Sequence, residues 1–263
     1  MLREWRIFNP AGNMRKIVLK NIPCKAPDKL DKATCKAELE LLLEELFELQ
    51  HVFYAAHSHS LLIIFQGMDT SGKDSTIRHV FSHVNPLGVQ ANSFKAPSDV
   101  ECEHDYMWRI FQKLPAKGMI RIFNRSHYED ILVPSIQKTI SEALIEKRYA
   151  FINAFEQHLL DNKTLVLKFF LHISRDEQKK RLQDRINDPV KRWKYSADDH
   201  RSSKEWEAYA TLYERIFNQC SPEIPWIIVP ADDKWYRNYL VAATLVNQLR
   251  ALKLTYPGKP GKG

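Results

Sequence analysis

The apolar positions change their period along the chain, and the period marks the elements. "LLIIF" at 61–65 is a continuous apolar run with the length of a strand buried on both faces. By contrast, "TCKAELELLLEELFELQHVFYAA" at 34–56 places Leu39, Leu42, Leu43, Leu46, Leu49 and Phe53 at helical spacing. That pattern lasts about two heptads, too short for a coiled-coil seam, so it predicts a helix that packs on the core and leads into the first strand. The same reading places strands at 61–66, 89–94, 118–123, 164–173 and 226–230. Helices fall at 73–84, 98–113, 139–161, 174–187, 198–219 and 233–252. Strands alternating with helices predict an α/β fold, a parallel sheet with helices on both faces, and such sheets bind ligands at the carboxyl ends of their strands.

Outside these elements the pattern fades. Residues 1–34 carry Pro10, Pro23 and Pro27 among lysines with no sustained period, which predicts an extended arm lying on the rest. Residues 35–254 read as one domain, and "TYPGKPGKG" at 255–263 is expected to be a disordered basic tail. No apolar run approaches the roughly 20 residues that span a bilayer. The start "MLREWRIFNP" lacks the apolar core of a signal peptide, and Cys24, Cys35, Cys102 and Cys220 form no C-x-x-C pair. A cytoplasmic protein with free thiols, away from membranes, is the expectation.

Charge narrows the partner. Lys and Arg outnumber Asp and Glu by 39 to 32, a formal +7, which favours an anion: nucleic acid, a nucleotide or another polyphosphate. Charge alone does not separate these from an ordinary solvated basic surface.

The chemistry is concentrated in "LLIIFQGMDTSGKDS", Leu61 to Ser75. A Gly-rich turn between a strand and a helix exposes successive backbone N–H groups beside the positive end of the helix dipole, which is how phosphate is cradled. Gly67, Gly72 and Lys73 fit the G-x-x-x-x-G-K loop, with Lys73 aimed at the outer phosphates, but Asp74 stands where a magnesium-binding hydroxyl is usual and Ser75 follows it. Asp69, inside the loop, would be repelled by phosphate unless a cation lay between them, so it is a candidate Mg²⁺ ligand. Asp74 has several readings: a second metal, orientation of Lys73, the acceptor, or a helix N-terminal acid.

A second loop, "NRSHYED", follows the strand "GMIRIF". Asn124 occupies the place where a metal-binding Asp would end such a strand and is a weaker, neutral oxygen ligand. Arg125 offers a guanidinium that can grip transferring oxygens through two hydrogen bonds. Further on, Lys179, Lys180, Arg181, Arg185, Lys191, Arg192 and Lys194 crowd a helix end broken at Asp188-Pro189, and can form either a solvated face or a hinged lid over phosphates. His79 and His83 at i, i+4, the stretch "ECEHD" and the dispersed tryptophans carry less, since packing and polar helix faces explain them.

Taken together, "FQGMDTSGKDS", "NSFKAPS", "HDYMWRIFQKLPAKG", "IFNRSHYEDILV", "FEQHLLDNKTLVLKFFLHISRDEQKKR", "DPVKRWKYSADD" and "PWIIVPADDKWYRNYL" resemble the polyphosphate kinase 2 family, in family order over most of residues 60–252. The resemblance implies a three-layer, thymidylate-kinase-like P-loop fold with a helical lid at about 178–200. It also implies transfer of a phosphoryl group from inorganic polyphosphate to a nucleotide (AMP, ADP, giving ADP and ATP), with Mg²⁺ as cofactor and Mn²⁺ as an alternative. In that family G-x-D-x-x-G-K-D is the usual loop, which makes Asp69, Lys73 and Asp74 the matching positions and maps the lid onto Arg181 through Arg192. "NRSHYE", rather than "DRSWYN", resembles the class III branch that phosphorylates AMP as well as ADP, with Glu129 at the position associated with AMP. A homo-oligomer is implied, and nucleic acid is not an expected partner.

The acceptor phosphate, with a second pKa near 6, is already largely ionised at neutral pH, so the attack needs no general base. Lys73, Arg125 and a cation at Asp69 are expected to stabilise the moving group, while Arg181, Arg185, Lys191 and Arg192 close over the donor. The rivals are an ATP-dependent nucleoside or nucleotide kinase of the same fold and a non-catalytic polyanion binder.

Overall fold

A computed structural model describes residues 16–190, 192, 205–220 and 223–258 of the chain. In chain order the elements are α1 (Lys32–Ala56), β1 (Ser60–Gln66), α2 (Lys73–Val80), β2 (Val89–Ser93), α3 (Asp99–Cys102), α4 (Trp108–Phe111), β3 (Ile120–Asn124), α5 (Glu129–Gln137), α6 (Glu142–Asp161), β4 (Thr164–His172), α7 (Arg175–Asn187), α8 (Trp206–Gln219), β5 (Trp226–Pro230) and α9 (Lys234–Ala251). Short 3₁₀ turns lie at Leu19–Asn21 and Pro86–Gly88.

The described strands form one sheet in the order β2-β3-β1-β4-β5, and every neighbouring pair is parallel. β1 lies at the centre, with Phe65 opposite Asn124 of β3 on one side and Phe169 of β4 on the other. From β1 the chain builds first toward β2 and β3 and then crosses to β4 and β5, so the connections part at the carboxyl end of β1 and leave a crevice there. The central position explains the unbroken apolar run: each β1 residue is buried, and each fully buried large side chain contributes roughly 1.5–3 kcal/mol. Helices α1, α2 and α9 pack together as one layer, and α5, α6 and α8 as another.

Local chemistry sets the boundaries. α1 starts at Lys32, two residues before its expected position, because the Asp31 side chain accepts the Thr34 backbone N–H at 2.7 Å. The helix expected at 98–113 is two single turns, since the Asp105 carboxylate takes the Met107 backbone N–H at 2.9 Å and ends helical pairing between them. α2 stops at Val80, short of the expected 84. α5 was not expected, because Pro134 lies inside it. Pro134 removes the N–H that would meet the Asp130 carbonyl, and the Arg148 guanidinium donates to that carbonyl instead.

The expected arm packs on the domain where it is described. Ile17 exchanges two hydrogen bonds with the Asn218 side chain, the Leu19 N–H donates to Glu214, and Ile17, Leu19 and Ile22 are buried. Tyr256, in the expected tail, hydrogen-bonds His51 of α1 at 2.9 Å. Residues 1–15 and 259–263, Lys191 and residues 193–204 of the expected lid and helix lie outside the described residues. Among the described residues no helix is long and apolar enough to cross a membrane.

Candidate active site

The crevice is floored by the loop that joins β1 to α2. Gly67 (φ 150°) and Gly72 (φ 101°) bound it in backbone conformations that side chains rarely adopt. A Cβ on Gly72 would lie 2.0 Å from the guanidinium of Arg237, which is buried and held by hydrogen bonds. Gly72→Ala is therefore expected to cost about 1–3 kcal/mol of stability from the backbone conformation and to displace Arg237; a thermal melt that matches the wild type would contradict this. Lys73 opens α2 and turns its Nζ back to the carbonyls of Gly67 (2.8 Å) and Met68 (3.3 Å). Burial and the neighbouring Arg125 pull its pKa down to about 8, against the opposing pull of Asp69, Glu129 and Asp74. Ser75 Oγ donates to the Gly72 carbonyl at 2.9 Å and accepts from Arg237, so it braces the loop from behind.

The second loop meets the first. The Arg125 N–H donates to the Phe65 carbonyl at 3.0 Å, carrying the sheet ladder one residue past β3, and Arg125 itself has φ 63°. A non-glycine residue there is strained, and the strain aims its side chain across the crevice. Its guanidinium meets Asp69 at 3.0 Å and Glu129 at 3.9 Å. The Glu129 side chain is only 16% exposed, and burial raises its pKa while Arg125 and Lys73 oppose the rise. Asp69, Lys73, Arg125 and Glu129 thus share one partly desolvated cluster of two positive and two negative groups. The Asn124 amide donates to Asp74 and, at 3.3 Å, to Ser93 Oγ. Asp74 therefore ties the start of α2 to the end of β3, a contact that none of its sequence readings named.

The basic segment divides. Arg181 is buried, and its guanidinium donates to the carbonyls of Thr70 (3.1 Å), Ser71 (3.2 Å), Ala231 (2.8 Å) and Asp232 (2.8 Å), with Glu177 at 2.7 Å. It is a brace behind the phosphate loop rather than the moving lid cation expected. Arg185 is half-buried on α7, and Arg192 is exposed with its Nε on the Ile186 carbonyl. His79 and His83 are exposed.

Two features escaped the sequence reading. One is Arg237, on α9. The other lies beneath the second loop, where Glu156 of α6 meets Lys168 of β4 at 2.7 Å, Tyr128 OH at 2.8 Å and His127 at 3.4 Å, all almost wholly buried. Lys168 also donates to Tyr128 OH at 3.1 Å. Burial works against both charges, lowering the pKa of Lys168 and pushing that of Glu156 up, but Lys168 and His127 outweigh it at Glu156 and hold the carboxyl at about 2. The signal in the sequence was the lysine inside "LVLKFFL", a charge in a strand buried on both faces.

The sequence profile of polyphosphate kinase 2 (PPK2) matches residues 29–256. The chain belongs to the polyphosphate kinase 2 family. Among PPK2 relatives, it is 46% identical over 220 residues to the AMP/ADP-polyphosphate phosphotransferase of Meiothermus ruber, covering 83% of this chain and 82% of that one. It is 43% identical over 232 residues to the ADP-polyphosphate phosphotransferase of Rhodopseudomonas palustris, with 83% and 80% covered. Its fold superposes on the crystal structure of polyphosphate kinase 2 from Arthrobacter aurescens with a TM-score of 0.90 at 38% identity, over 96% of this chain and 93% of that one. The fold is thus the P-loop kinase fold that the PPK2 resemblance implied.

Proposed function

We propose that this chain transfers a phosphoryl group from inorganic polyphosphate to AMP and to ADP, giving ADP and ATP. The observation that carries the reading is the convergence of Lys73 and Arg125 with Asp69 and Glu129 at the carboxyl end of β1, beside the loop bounded by Gly67 and Gly72. Phosphoryl transfer needs positioned positive charge around the moving group and, with an ionised acceptor, no general base. Lys73 and Arg125 supply that charge. The carboxylates hold Arg125 in place and balance the two positive charges.

The oxygen donors of Asp69 and Asn124 suit a hard cation, and Mg²⁺ held there would neutralise phosphate charge. Asp69 is the first candidate ligand and the Asn124 carbonyl oxygen the second. Arg185 and Arg192, with Lys191, are the candidate cations for the distal donor chain, and Arg181 acts by shaping the loop.

Glu129 is assigned to acceptor choice on charge. AMP brings about one negative charge fewer than ADP, and removing the Glu129 carboxylate makes the site one unit more positive. Glu129→Gln is therefore expected to shift the ratio of kcat/KM for AMP over ADP down about tenfold, while an unchanged ratio would remove Glu129 from acceptor choice. The reading as a whole is tested with purified protein, Mg²⁺ and long-chain polyphosphate, supplying AMP or ADP separately. Both ADP and ATP are expected from AMP. Efficient turnover of AMP with ATP and no polyphosphate would favour a nucleotide kinase, and no turnover with either donor would favour a binding protein.

The proposal extends to a homo-oligomer in the cytoplasm. Phe47 and Tyr54 of α1, each 39% exposed and seven residues apart, share one face of the helix, an apolar strip suited to a second copy. Cys24, Cys35, Cys102 and Cys220 are free thiols, which suits a reducing compartment.

A further inference from the structure

Behind the phosphate loop lie two guanidiniums, and their charges are not balanced alike. Arg181 has Glu177 at 2.7 Å. Arg237 is 1% exposed and donates to the Ser71 carbonyl (3.3 Å), Ser75 Oγ (3.1 Å) and the Asn238 side-chain oxygen (3.0 Å), all neutral acceptors. Among the described residues no carboxylate lies within ion-pair distance of it. Both guanidiniums grip the same Ser71 carbonyl, so two positive charges are held close together in a dry place. Burial and then Arg181 pull the Arg237 pKa down to about 10, so it stays charged at neutral pH at a cost.

An isolated buried charge is among the most expensive features a fold can keep, and it is normally neutralised by a partner. Here the protein spends space on it: Gly72 has no side chain where Arg237 passes. The loop's carbonyls at Ser71 and Gly72 point back toward Arg237 and Ser75, and the Ser71 N–H closes the loop on the Met68 carbonyl at 3.1 Å.

We infer that Arg237 is a positioning residue whose missing counter-charge is the phosphate bound on the other side of the loop. It acts through the Ser71 carbonyl and Ser75 rather than by touching substrate, and its charge raises the affinity of the loop for a polyanion. This rests on the loop being the phosphate site proposed above.

The test uses inorganic tripolyphosphate as probe, with binding followed by calorimetry and stability by thermal melts of the full chain. Arg237→Gln is expected to weaken binding about tenfold and Arg237→Lys no more than about threefold, the difference reporting charge rather than shape. A second variant leaves the arginine in place: Asn238→Asp puts a carboxylate on the Arg237 guanidinium. It is expected to raise the melting temperature without ligand while weakening tripolyphosphate binding about tenfold. A merely structural Arg237 would give the first change without the second. Wild-type binding that Asn238→Asp leaves unaltered overturns the inference, as do equal losses in the Gln and Lys variants. If the wild type itself does not bind tripolyphosphate, the phosphate site falls and this inference with it.

Discussion

Lys73→Met is expected to lower turnover by about three orders of magnitude without lowering the melting temperature of the free protein. Methionine keeps the stem of the side chain and removes only the charge that meets the moving phosphoryl group. The stability half follows from the pKa of about 8. Below pH 8 the lysine is charged in both folded and unfolded states, and the folded state bears the whole cost of burying it. Between about 8 and its ordinary value near 10.4 the folded protein has released the proton and the unfolded chain has not. Wild-type stability therefore gains with rising pH across that window. The variant lacks the cost, so its advantage is largest near neutrality and fades above pH 10. Affinity of the wild type for phosphate runs the other way and falls as pH rises through 8. Near-normal turnover by the variant, measured with polyphosphate and ADP, would remove Lys73 from the chemistry.

Glu156→Ala is expected to be the most destabilising single change. It leaves the Lys168 ammonium charged in a fully buried site, with Tyr128 as its remaining partner in the cluster, and breaking one side of such a pair costs roughly 3–5 kcal/mol. For a chain of this size that is a fall in melting temperature of about 10 °C. Replacing both partners, Glu156→Leu with Lys168→Met, is expected to recover most of the loss, because the desolvation of two charges disappears along with their attraction. If the double variant melts as low as the single one, the pair is not the source of the effect. The carboxyl at about 2 gives the pH dependence its sign: its contribution is whole above the unfolded value near 4.3 and is lost as pH falls toward 2. Since Tyr128 and His127 belong to the second loop, the same cluster holds Arg125 and Glu129 at their places in the crevice.

Much of this was legible in the residues. The five strands stand within two residues of the expected spans; four of them are apolar runs buried on both faces, while β2 is a polar edge strand with no buried residue. The phosphate loop was legible because its glycines and lysine answer to backbone geometry within seven residues. What was hidden depends on distance along the chain. Nothing local to Arg237 says that it ends beneath Gly72, and nothing in "DEQKKRLQ" tells Arg181, which braces carbonyls, from the cations beside it. The helix at 98–113 failed because Asp105 competes for the backbone, and α5 was missed because Pro134 looks like a stop until Arg148 satisfies the carbonyl it orphans.

The place of β1 in the sheet also bears on synthesis. The phosphate loop leaves the ribosome before β3 and β4, yet the strand that carries it has to pair with β3 on one side and with β4 on the other, and Ser60 finds its Thr164 partner 104 residues later. Until β4 has emerged, the apolar run Leu61–Phe65 has one open edge and no finished crevice, and a chain stopped short of it carries the most diagnostic motif of the sequence with nothing to bind. Nascent chains of increasing length should acquire phosphate affinity in one late step rather than at the motif.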